Sequence, residues 1–352
     1  MSVDLLVVGG GPVGLATALY AARQGLTVHV LEPRPGPVDK ACGEGLMPGG
    51  LAALADLGVH PVGHAFHGIR YLSSTRSAVA DFADGPGRGV RRTELHSRLS
   101  RAVTEAGVVV LPLVVTGLRQ GDDGVELATR LPGGAGQRPE RARYVVAADG
   151  LHSWTRRELG LDRPTGGAGR YGLRQHFRLP PWSRHVDVLW GEDAEAYVTP
   201  VSSDVVGVAV LSRQRRPFTE HLEQFGALVE RLTDAQPISP VQGAGPLRQR
   251  SHRRTAGRVL LVGDASGYVD ALTGEGISLG LAQARAAVAA VVANRPRDYE
   301  RSWLAATWRC SLLTQGLLHA TRPRVVRRGL VPLAAAAPWV FSAAVNELGR
   351  SA

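Results

Sequence analysis

The chain has 352 residues, 44% of them hydrophobic and 20% charged, which is enough for a large α/β domain with a second lobe. The formal net charge is +10, and Lys40 is the only lysine among 41 basic residues. Aromatic residues make up 5% of the chain and do not alternate with basic runs, so we expect no nucleic-acid-binding module.

A glycine-rich turn near the N-terminus is the first informative feature. The predicted elements around it are a buried strand over 4–9, a helix over 15–24 and a second strand over 27–31. Gly9, Gly11 and Gly14 fit the pattern G-x-G-x-x-G between the first strand and the helix. The pattern in this context predicts a dinucleotide site, and the alternative is a tight turn without a ligand.

Each motif position has a physical role. Gly9 permits the tight turn, Gly11 lets the backbone approach a pyrophosphate, and Gly14 lets helix and strand pack closely. The helix N-terminus offers free N–H groups and partial positive charge to the phosphate. The remaining residues expected to contact this half of the cofactor are Pro12, Val13, Glu32, whose carboxylate suits the ribose hydroxyls, and Arg34.

Three later segments add to this pattern. Residues 90–99 predict a loop that enters a helix, with Arg92 at the start of an R-x-x-L-x-x-x-L spacing. Residues 144–148 predict a buried strand that ends in Asp149-Gly150, a pair that is also common in ordinary turns. Residues 259–262 predict a strand that leads into Gly263-Asp264 and then into a loop ending in Gly274-Glu-Gly276-Ile277.

In order and content, these motifs resemble those of group A flavoprotein monooxygenases of the para-hydroxybenzoate hydroxylase type and of geranylgeranyl reductases, which share one fold. The resemblance implies FAD as the cofactor, with Arg92 and Asp149 near it and Asp264 hydrogen-bonded to its ribitol chain. It also implies that Gly263, Gly274, Gly276 and Ile277 approach the flavin, where the positive helix end near Glu275 stabilises charge on the reduced ring.

The implied fold class is α/β, with a Rossmann-type, glutathione-reductase-like FAD domain and a second domain built on a mostly antiparallel sheet. We expect the interrupted FAD domain over 1–70, 88–160 and 250–300, the substrate domain over 71–87 and 161–249, and a C-terminal helical region over 301–352. The sequence contains no second strand–G-x-G-x-x-G–helix unit. NAD(P)H is therefore expected only as a transient co-substrate.

Two segments favour the reductase branch of this resemblance. The loop Thr273–Gly276 departs from the usual hydroxylase form of the motif, and the segment from Lys40 to Pro48 contains a K-x-C-G stretch typical of the reductases. Cys42 and Gly43 are therefore expected beside the flavin. Cys42 either fills tight space or shapes substrate approach and proton delivery.

The middle of the chain predicts an antiparallel sheet and one helix. The expected strands cover 173–179, 186–190, 196–201 and 205–211, and the expected helix covers 219–232. One face of the sheet should cover the flavin, and its candidate residues are Arg174, His176, Trp190 and Tyr197. The catalytic residue stays unknown at this point, with Cys42, His176 and Tyr197 as weak candidates.

The C-terminal tail combines arginines with an apolar segment. Arginines at 322, 324, 327 and 328 precede an apolar run over 330–341 that is interrupted by two prolines and too short to span a bilayer. The tail either packs on the domain, or touches a membrane surface or caps an apolar pocket.

The two cysteines, Cys42 and Cys310, lie far apart and show no metal-ligand spacing, so we expect neither a disulfide framework nor a metal site. With no signal peptide visible, the expected location is the cytoplasm, with possible membrane association through the tail.

The sequence therefore predicts an FAD-dependent monooxygenase that uses NAD(P)H and O2 to hydroxylate or epoxidise a hydrophobic molecule such as a lipid-like phenol, a polyketide or an isoprenoid. The alternatives are a flavin-dependent reductase of isoprenoid double bonds and a flavin-binding protein without catalysis. Nothing resembles the W-x-W-x-I-P signature of tryptophan halogenases. The oligomeric state stays open.

Overall fold

The computed structural model describes residues 3–134, 136–166 and 169–350. The α-helices in these ranges are α1 (Pro12–Arg23), α2 (Pro48–Asp56), α3 (Arg92–Glu105), α4 (Trp154–Glu158), α5 (Phe218–Leu222), α6 (Gly226–Leu232), α7 (Gly276–Val292), α8 (Tyr299–Ala320), α9 (Arg324–Ala336) and α10 (Pro338–Gly349). Short 3₁₀ turns cover Gly263–Ser266 and Pro296–Asp298.

The strands in the same ranges are β1 (Val3–Val8), β2 (Val28–Leu31), β3 (Gly45–Leu46), β4 (His64–Phe66), β5 (Gly68–Leu72), β6 (Ser77–Asp81), β7 (Gly87–Gly89), β8 (Val109–Leu111), β9 (Val114–Gln120), β10 (Val125–Arg130), β11 (Arg138–Ala147), β12 (Tyr171–Arg178), β13 (Val186–Trp190), β14 (Ala194–Pro200), β15 (Val205–Ser212), β16 (Gln236–Pro237), β17 (Gln242–Ala244), β18 (Thr255–Ala256) and β19 (Val259–Leu261). They form three sheets.

The first sheet has a parallel centre in the order β19-β11-β1-β2-β8. Leu6 of β1 pairs with His29 on one side and Val145 on the other, so the strand is hydrogen-bonded along both edges. Helices α1, α3 and α7 cover one face through a buried core that includes Leu5, Val7 and Leu281. Such a sheet has its loops at the carboxyl ends of parallel strands, which is where α/β proteins bind ligands.

The second sheet is antiparallel apart from one pair. Its order is β16-β12-β15-β14-β13-β5-β6, and only β13 and β5 run parallel. Helices α5 and α6 pack on it through a core that includes Phe177, Val208 and Phe218. The strands of the small third sheet, β3-β7-β4, fall between β2 and β8 of the first sheet along the chain and flank β5 and β6 of the second. The α/β class and the antiparallel second sheet are confirmed, whereas the domain boundaries stay a prediction.

The expected helix over 219–232 is wrong in one respect, because the structure divides it into α5 and α6. Between them, Phe225 leaves the helical conformation with φ −114° and ψ 65°, and its side chain is buried in the core of the second sheet. The neighbouring Gln224 side chain donates to Asp193 Oδ1 at 3.0 Å. The tertiary contacts of Phe225 and Gln224 stabilise this break more than the local helical periodicity would stabilise one continuous helix.

The C-terminal region is helical, as expected, and consists of α8, α9 and α10. Within the described residues, no single helix is both long and apolar enough to cross a membrane. Helices α9 and α10 together reach that length and composition, but they are bent by 100° at the break between them.

Candidate functional site

A cavity of about 490 Å³ lies where the carboxyl end of the first sheet meets the second sheet. The loops after β1, β11 and β19 line one end, and strands β13, β14 and β15 line the other. Helix α10 contributes Val345 and Leu348. The cavity therefore occupies the position at which α/β sheets bind dinucleotides, extended by a second lobe.

Most of the sequence-predicted site residues meet in this cavity. Those that line it are Gly11, Pro12, Val13, Cys42, Gly43, Arg92, Tyr197, Gly263, Asp264, Gly274, Gly276 and Ile277. The predicted residues that do not line it are Gly9, Gly14, Glu32, Arg34, Asp149 and His176. Among the other candidates for the face over the flavin, Arg174 and Trp190 are buried outside the lining.

In the glycine-rich turn, Gly14 is required for close packing, whereas Gly11 leaves room for a ligand to approach the backbone. A Cβ on Gly14 would lie 1.9 Å from the carbonyl oxygen of Gly9, so helix α1 can contact the turn only without a side chain there. A Cβ on Gly11 would meet only Arg92 Nη2, at 3.8 Å, and would project into the cavity. The open space at Gly11 fits a phosphate group that approaches the backbone at the N-terminus of α1.

Glu32 supports the turn from the end of β2. Its Oε2 accepts a hydrogen bond from the backbone N–H of Gly10 at 2.9 Å, and its Oε1 accepts one from Arg34 Nε at 2.7 Å. Burial acts to raise the pKa of Glu32, but the hydrogen bonds from Arg34 and Gly10 outweigh it and lower the pKa. An ionised carboxylate at this position suits the hydroxyl groups of a ribose.

Positive charge collects at the same end of the cavity. Lys40 and Arg92 both line it, together with the carboxylate of Asp264. Burial and the charges of Arg34 and Arg92 lower the pKa of Lys40, and burial lowers that of Arg92. Burial raises the pKa of Asp264, while Lys40 and Arg92 act in the opposite direction. Two cations facing a cavity, one exposed and one half-buried, fit an anionic group such as a pyrophosphate.

The Asp149-Gly150 pair organises the adjacent loops. Asp149 Oδ2 accepts hydrogen bonds from the backbone N–H and the hydroxyl of Thr155, each at 2.9 Å, while its buried Oδ1 has no hydrogen-bond partner among the described residues. Arg156, which is 1% exposed, donates to the backbone oxygen atoms of Asp264 and Ala265. The predicted motif therefore acts largely by fixing the loop that carries Asp264, and Gly150 rather than Asp149 reaches the cavity.

The loop before α7 brings a second helix N-terminus to the cavity. Gly274 has φ +71°, a left-handed conformation that glycine adopts without strain, and Gly276 and Ile277 begin α7 at the cavity wall. Glu275 does not line this cavity and is 5% exposed, and its carboxyl group lies beside the Cys310 thiol. Burial raises the pKa of Glu275 to about 8. Helices α1 and α7 thus both direct partial positive charge toward the site.

The loop that contains Cys42 runs along the cavity wall. Cys42 and Glu44 both line the cavity, and the backbone N–H of Glu44 donates to Cys42 Sγ at 3.4 Å. Burial raises the pKa of the Cys42 thiol, although the charge of Arg92 opposes this effect. The structure therefore presents Cys42 as a neutral thiol near the guanidinium groups of Arg92 and Arg174.

His176 lies behind this loop. Its Nε2 is 2.5 Å from Glu44 Oε2, and its Nδ1 is 2.9 Å from Arg174 Nη1 and 3.0 Å from Ser239 Oγ. Because an arginine only donates hydrogen bonds, Nδ1 accepts and Nε2 carries the proton. His176 therefore contacts Glu44 rather than the cavity.

Sequence reasoning missed several residues of this site. Glu44 adopts φ +60°, which is uncommon outside glycine, and no local sequence signal marks it. Most of the apolar wall was also missed, because it combines residues from distant segments: Ile69, Tyr71, Phe82, Val186, Leu211 and Leu247. Tyr197 was predicted, and its hydroxyl donates to the backbone oxygen of Leu272 at 3.0 Å.

Comparison with known families places the geometry in context. The family model described as FAD binding domain matches residues 2–294. Over these residues it spans every loop and strand that forms the charged end of the cavity.

Three curated relatives cover most of the chain. Digeranylgeranylglycerophospholipid reductase 1 of Methanothermobacter thermautotrophicus is 28% identical over 329 residues, covering 85% of this chain and 81% of the relative. Menaquinone reductase of Mycobacterium tuberculosis is 30% identical over 331 residues, covering 86% and 79%. Aklavinone 12-hydroxylase RdmE of Streptomyces purpurascens is 30% identical over 326 residues, covering 75% and 57%.

Among solved structures, the flavin-dependent brominase Bmp2 superposes with a TM-score of 0.82 at 17% identity, covering 99% of this chain and 94% of that chain. At this identity the likeness shows the shared fold and nothing about the reaction.

The two glycines of the turn provide a matched pair of variants. We expect the apo form of Gly11→Val to match the stability of wild-type apo-protein, because its side chain enters open space, and to bind no FAD, because the side chain would fill the space that the glycine-rich turn offers to a pyrophosphate. We expect Gly14→Ala to be destabilised by roughly 1–3 kcal/mol, the usual cost of forcing extra atoms into a packed core. Urea unfolding and the flavin absorbance of purified protein measure the two effects. Full FAD occupancy in Gly11→Val would contradict the assignment.

Glu275 predicts a specific pH dependence of stability. Its native pKa of about 8 lies above the ordinary 4.5, so between these values the native state holds a proton that the unfolded state has released. The contribution of this group to stability must then fall as pH rises through this window, by up to about 1.4 kcal/mol per pH unit. Urea unfolding at fixed FAD concentration should show a shallower slope for Glu275→Gln, whereas the exposed control Glu105→Gln should match the wild type. Identical slopes in all three proteins would refute the assigned protonation state.

Proposed function

Because the chain belongs to the FAD-binding domain family and is an FAD-dependent oxidoreductase, we propose that it reduces carbon–carbon double bonds of a hydrophobic, isoprenoid-type substrate. The observation that carries this proposal is the position of Cys42, a half-buried neutral thiol on the wall of a cavity that is charged at one end and apolar at the other. Saturating a double bond requires a proton donor as well as a hydride donor, and Cys42 is suited to the first role.

The charged end of the cavity fits FAD. The N-terminus of α1 at Gly11–Gly14 would hold the pyrophosphate, and Glu32 the ribose of the adenosine half. Asp264 would accept a hydrogen bond from the ribitol chain, and the backbone at Gly274–Ile277 would lie against the flavin ring. NAD(P)H is the proposed transient electron donor.

The other end of the cavity fits an apolar chain. The residues that line it from the second sheet and from α10 include Ile69, Tyr71, Phe82, Val186, Val188, Leu211, Val345 and Leu348, and none of these side chains is charged. Each CH₂ group buried there contributes about 0.8 kcal/mol, so affinity should increase with chain length. One of the curated relatives is named as a digeranylgeranylglycerophospholipid reductase and another as a menaquinone reductase. The similarity to this chain spans 81% of the first relative and 79% of the second.

In the proposed reaction, the cofactor would supply the hydride and the protein would supply the proton. FAD, when bound and reduced, supplies a hydride to one carbon of the double bond. The Cys42 thiol gives its proton to the other carbon, which leaves a saturated bond and a thiolate. The positive charges of Arg92 and, to a smaller extent, Arg174 would stabilise that thiolate until it is protonated again.

A hydrogen-bonded chain can return the proton. Ser239, which is partly exposed, contacts His176 Nδ1, and the opposite ring nitrogen, Nε2, contacts Glu44. His176 therefore links a partly exposed hydroxyl to a carboxylate that lines the same cavity as Cys42, and a proton could pass along this line only while Arg174 does not donate to Nδ1. We therefore propose a role for His176 in proton supply rather than in contact with substrate.

A monooxygenase is the second candidate, and the similarity to aklavinone 12-hydroxylase favours it. The same apolar cavity would then exclude water while an oxygen atom from O2 is inserted into the substrate. The two candidates differ in what the product gains: two hydrogen atoms in the reductase and one oxygen atom in the monooxygenase.

The products formed with and without oxygen test the proposed function. Reduced holoenzyme is mixed anaerobically with a series of polyprenyl lipids of increasing length, and the products are analysed by mass spectrometry. We expect flavin reoxidation together with a gain of two hydrogen atoms, and a higher affinity for longer chains. No anaerobic reaction, together with incorporation of one oxygen atom in air, would establish the monooxygenase instead.

Cys42 variants test the proton donor. We expect Cys42→Ala to retain FAD and to lower kcat roughly 10²–10⁴-fold, the usual contribution of a positioned general acid. Cys310→Ala is the matched control, because Cys310 is also a free cysteine but lies outside the main cavity. A wild-type rate for Cys42→Ala would exclude the thiol as the proton donor.

A further inference from the structure

Helices α9 and α10 present an exposed apolar surface, here called the tail face. It consists of Val325, Gly329, Leu333 and Ala336 on α9, followed by Trp339 and Val340 at the start of α10. The spacing of the α9 members places them on one side of the helix. The side chains of Val325, Leu333 and Trp339 are 82%, 67% and 76% exposed.

The tail face is not the side that holds these helices on the protein. Leu330 and Val331 of α9 pack in the cluster around Met47 and Phe66, and Phe341 and Val345 of α10 pack against β6. The helices are therefore anchored through their opposite side. Exposed large apolar groups gathered on an anchored amphipathic helix are typical of a surface that binds a partner.

The charges beside the tail face are positive. Arg322 and Arg324 are exposed, and neither forms an ion pair among the described residues. Arg328 is also exposed and pairs with Glu192 at the surface. The whole chain carries a formal charge of +10, so an anionic partner is favoured at long range as well.

We propose that the tail face binds the surface of an anionic lipid bilayer. Arginines beside exposed apolar side chains match lipid head groups above acyl chains, and a tryptophan such as Trp339 favours the boundary between them. The bend of 100° between α9 and α10 is consistent with helices that lie in the interface rather than cross it. Charge complementarity favours this partner over a second copy of the chain, which would bring equally basic surfaces together.

The tail face lies close to the apolar end of the cavity along α10, so a membrane contact there would bring lipid near the cavity. From Trp339 to Val345 the distance along α10 is roughly 9 Å, since an α-helix rises about 1.5 Å per residue. Val345 and Leu348 line the apolar end of the cavity. A bilayer held at the tail face therefore lies near the part of the cavity that suits an apolar chain.

Vesicle flotation tests the contact directly. FAD-loaded full-length protein is mixed with vesicles of phosphatidylcholine alone or with added phosphatidylglycerol, at low and high salt. We expect flotation with the anionic vesicles, weakened by salt because the arginine contribution is screened. The measurement uses no substrate, so the membrane contact and the proposed reaction can fail independently.

Two sets of variants separate the apolar and charged contributions. Leu333→Asp with Trp339→Asp should lower the partition coefficient at least tenfold, whereas Val62→Asp, at a position 62% exposed outside the tail, should not. Arg322→Gln with Arg324→Gln should lower it roughly tenfold at low salt, and the control Arg119→Gln with Arg163→Gln should lower it less. Flavin absorbance and thermal unfolding verify that each variant is folded.

The remaining outcomes decide against the proposal. Absence of flotation with any vesicle, or flotation unchanged by the tail-face variants, overturns it. So does concentration-dependent dimerisation in light scattering that Leu333→Asp abolishes, because the face would then join two copies of this chain.

Discussion

The site depends on one close backbone contact. Helix α1 lies so near the end of β1 that a single added carbon at Gly14 would overlap the carbonyl of Gly9. This contact fixes the direction of α1, and with it the position at which free N–H groups and the open space at Gly11 face the cavity. Glu32 then holds the turn through Gly10, so the end of β2 is tied to the same arrangement.

Arg156 fixes the loops on the side of the cavity that contains Asp264. Its guanidinium is almost fully buried and contacts the backbone of the Asp264 loop, the side chain of Gln249 and the carboxylate of Asp162. A buried guanidinium is tolerated only where its donors are satisfied, so these loops are held in one arrangement. The loops after β11 and β19 therefore meet at the cavity as one unit.

The two ends of the cavity differ in charge. This difference separates the end that fits the cofactor from the end that fits the proposed substrate. Lys40, Arg92, Asp264 and two helix N-termini lie at the end formed by the first sheet. The second sheet and α10 contribute only uncharged side chains to the lining. Cys42 lies on the loop between these regions, where burial favours its neutral form and nearby arginine limits the cost of ionising it. A polar cofactor and an apolar chain can thus meet at one thiol.

The sequence by itself determined which loops form the charged end of the cavity, because its signals are local: a glycine turn between a strand and a helix, and Asp-Gly and Gly-Asp pairs after apolar strands. It also determined the alternation that builds the antiparallel sheet. Only the tertiary structure decided that α5 and α6 are separate, since that break depends on Phe225 packing in a distant core. It likewise decided that His176 contacts Glu44, residues separated by 132 positions, and that Asp149 supports a loop while Gly150 lines the cavity. The physical reason is that side-chain contacts across sheets depend on strand order and register, which local propensity does not encode.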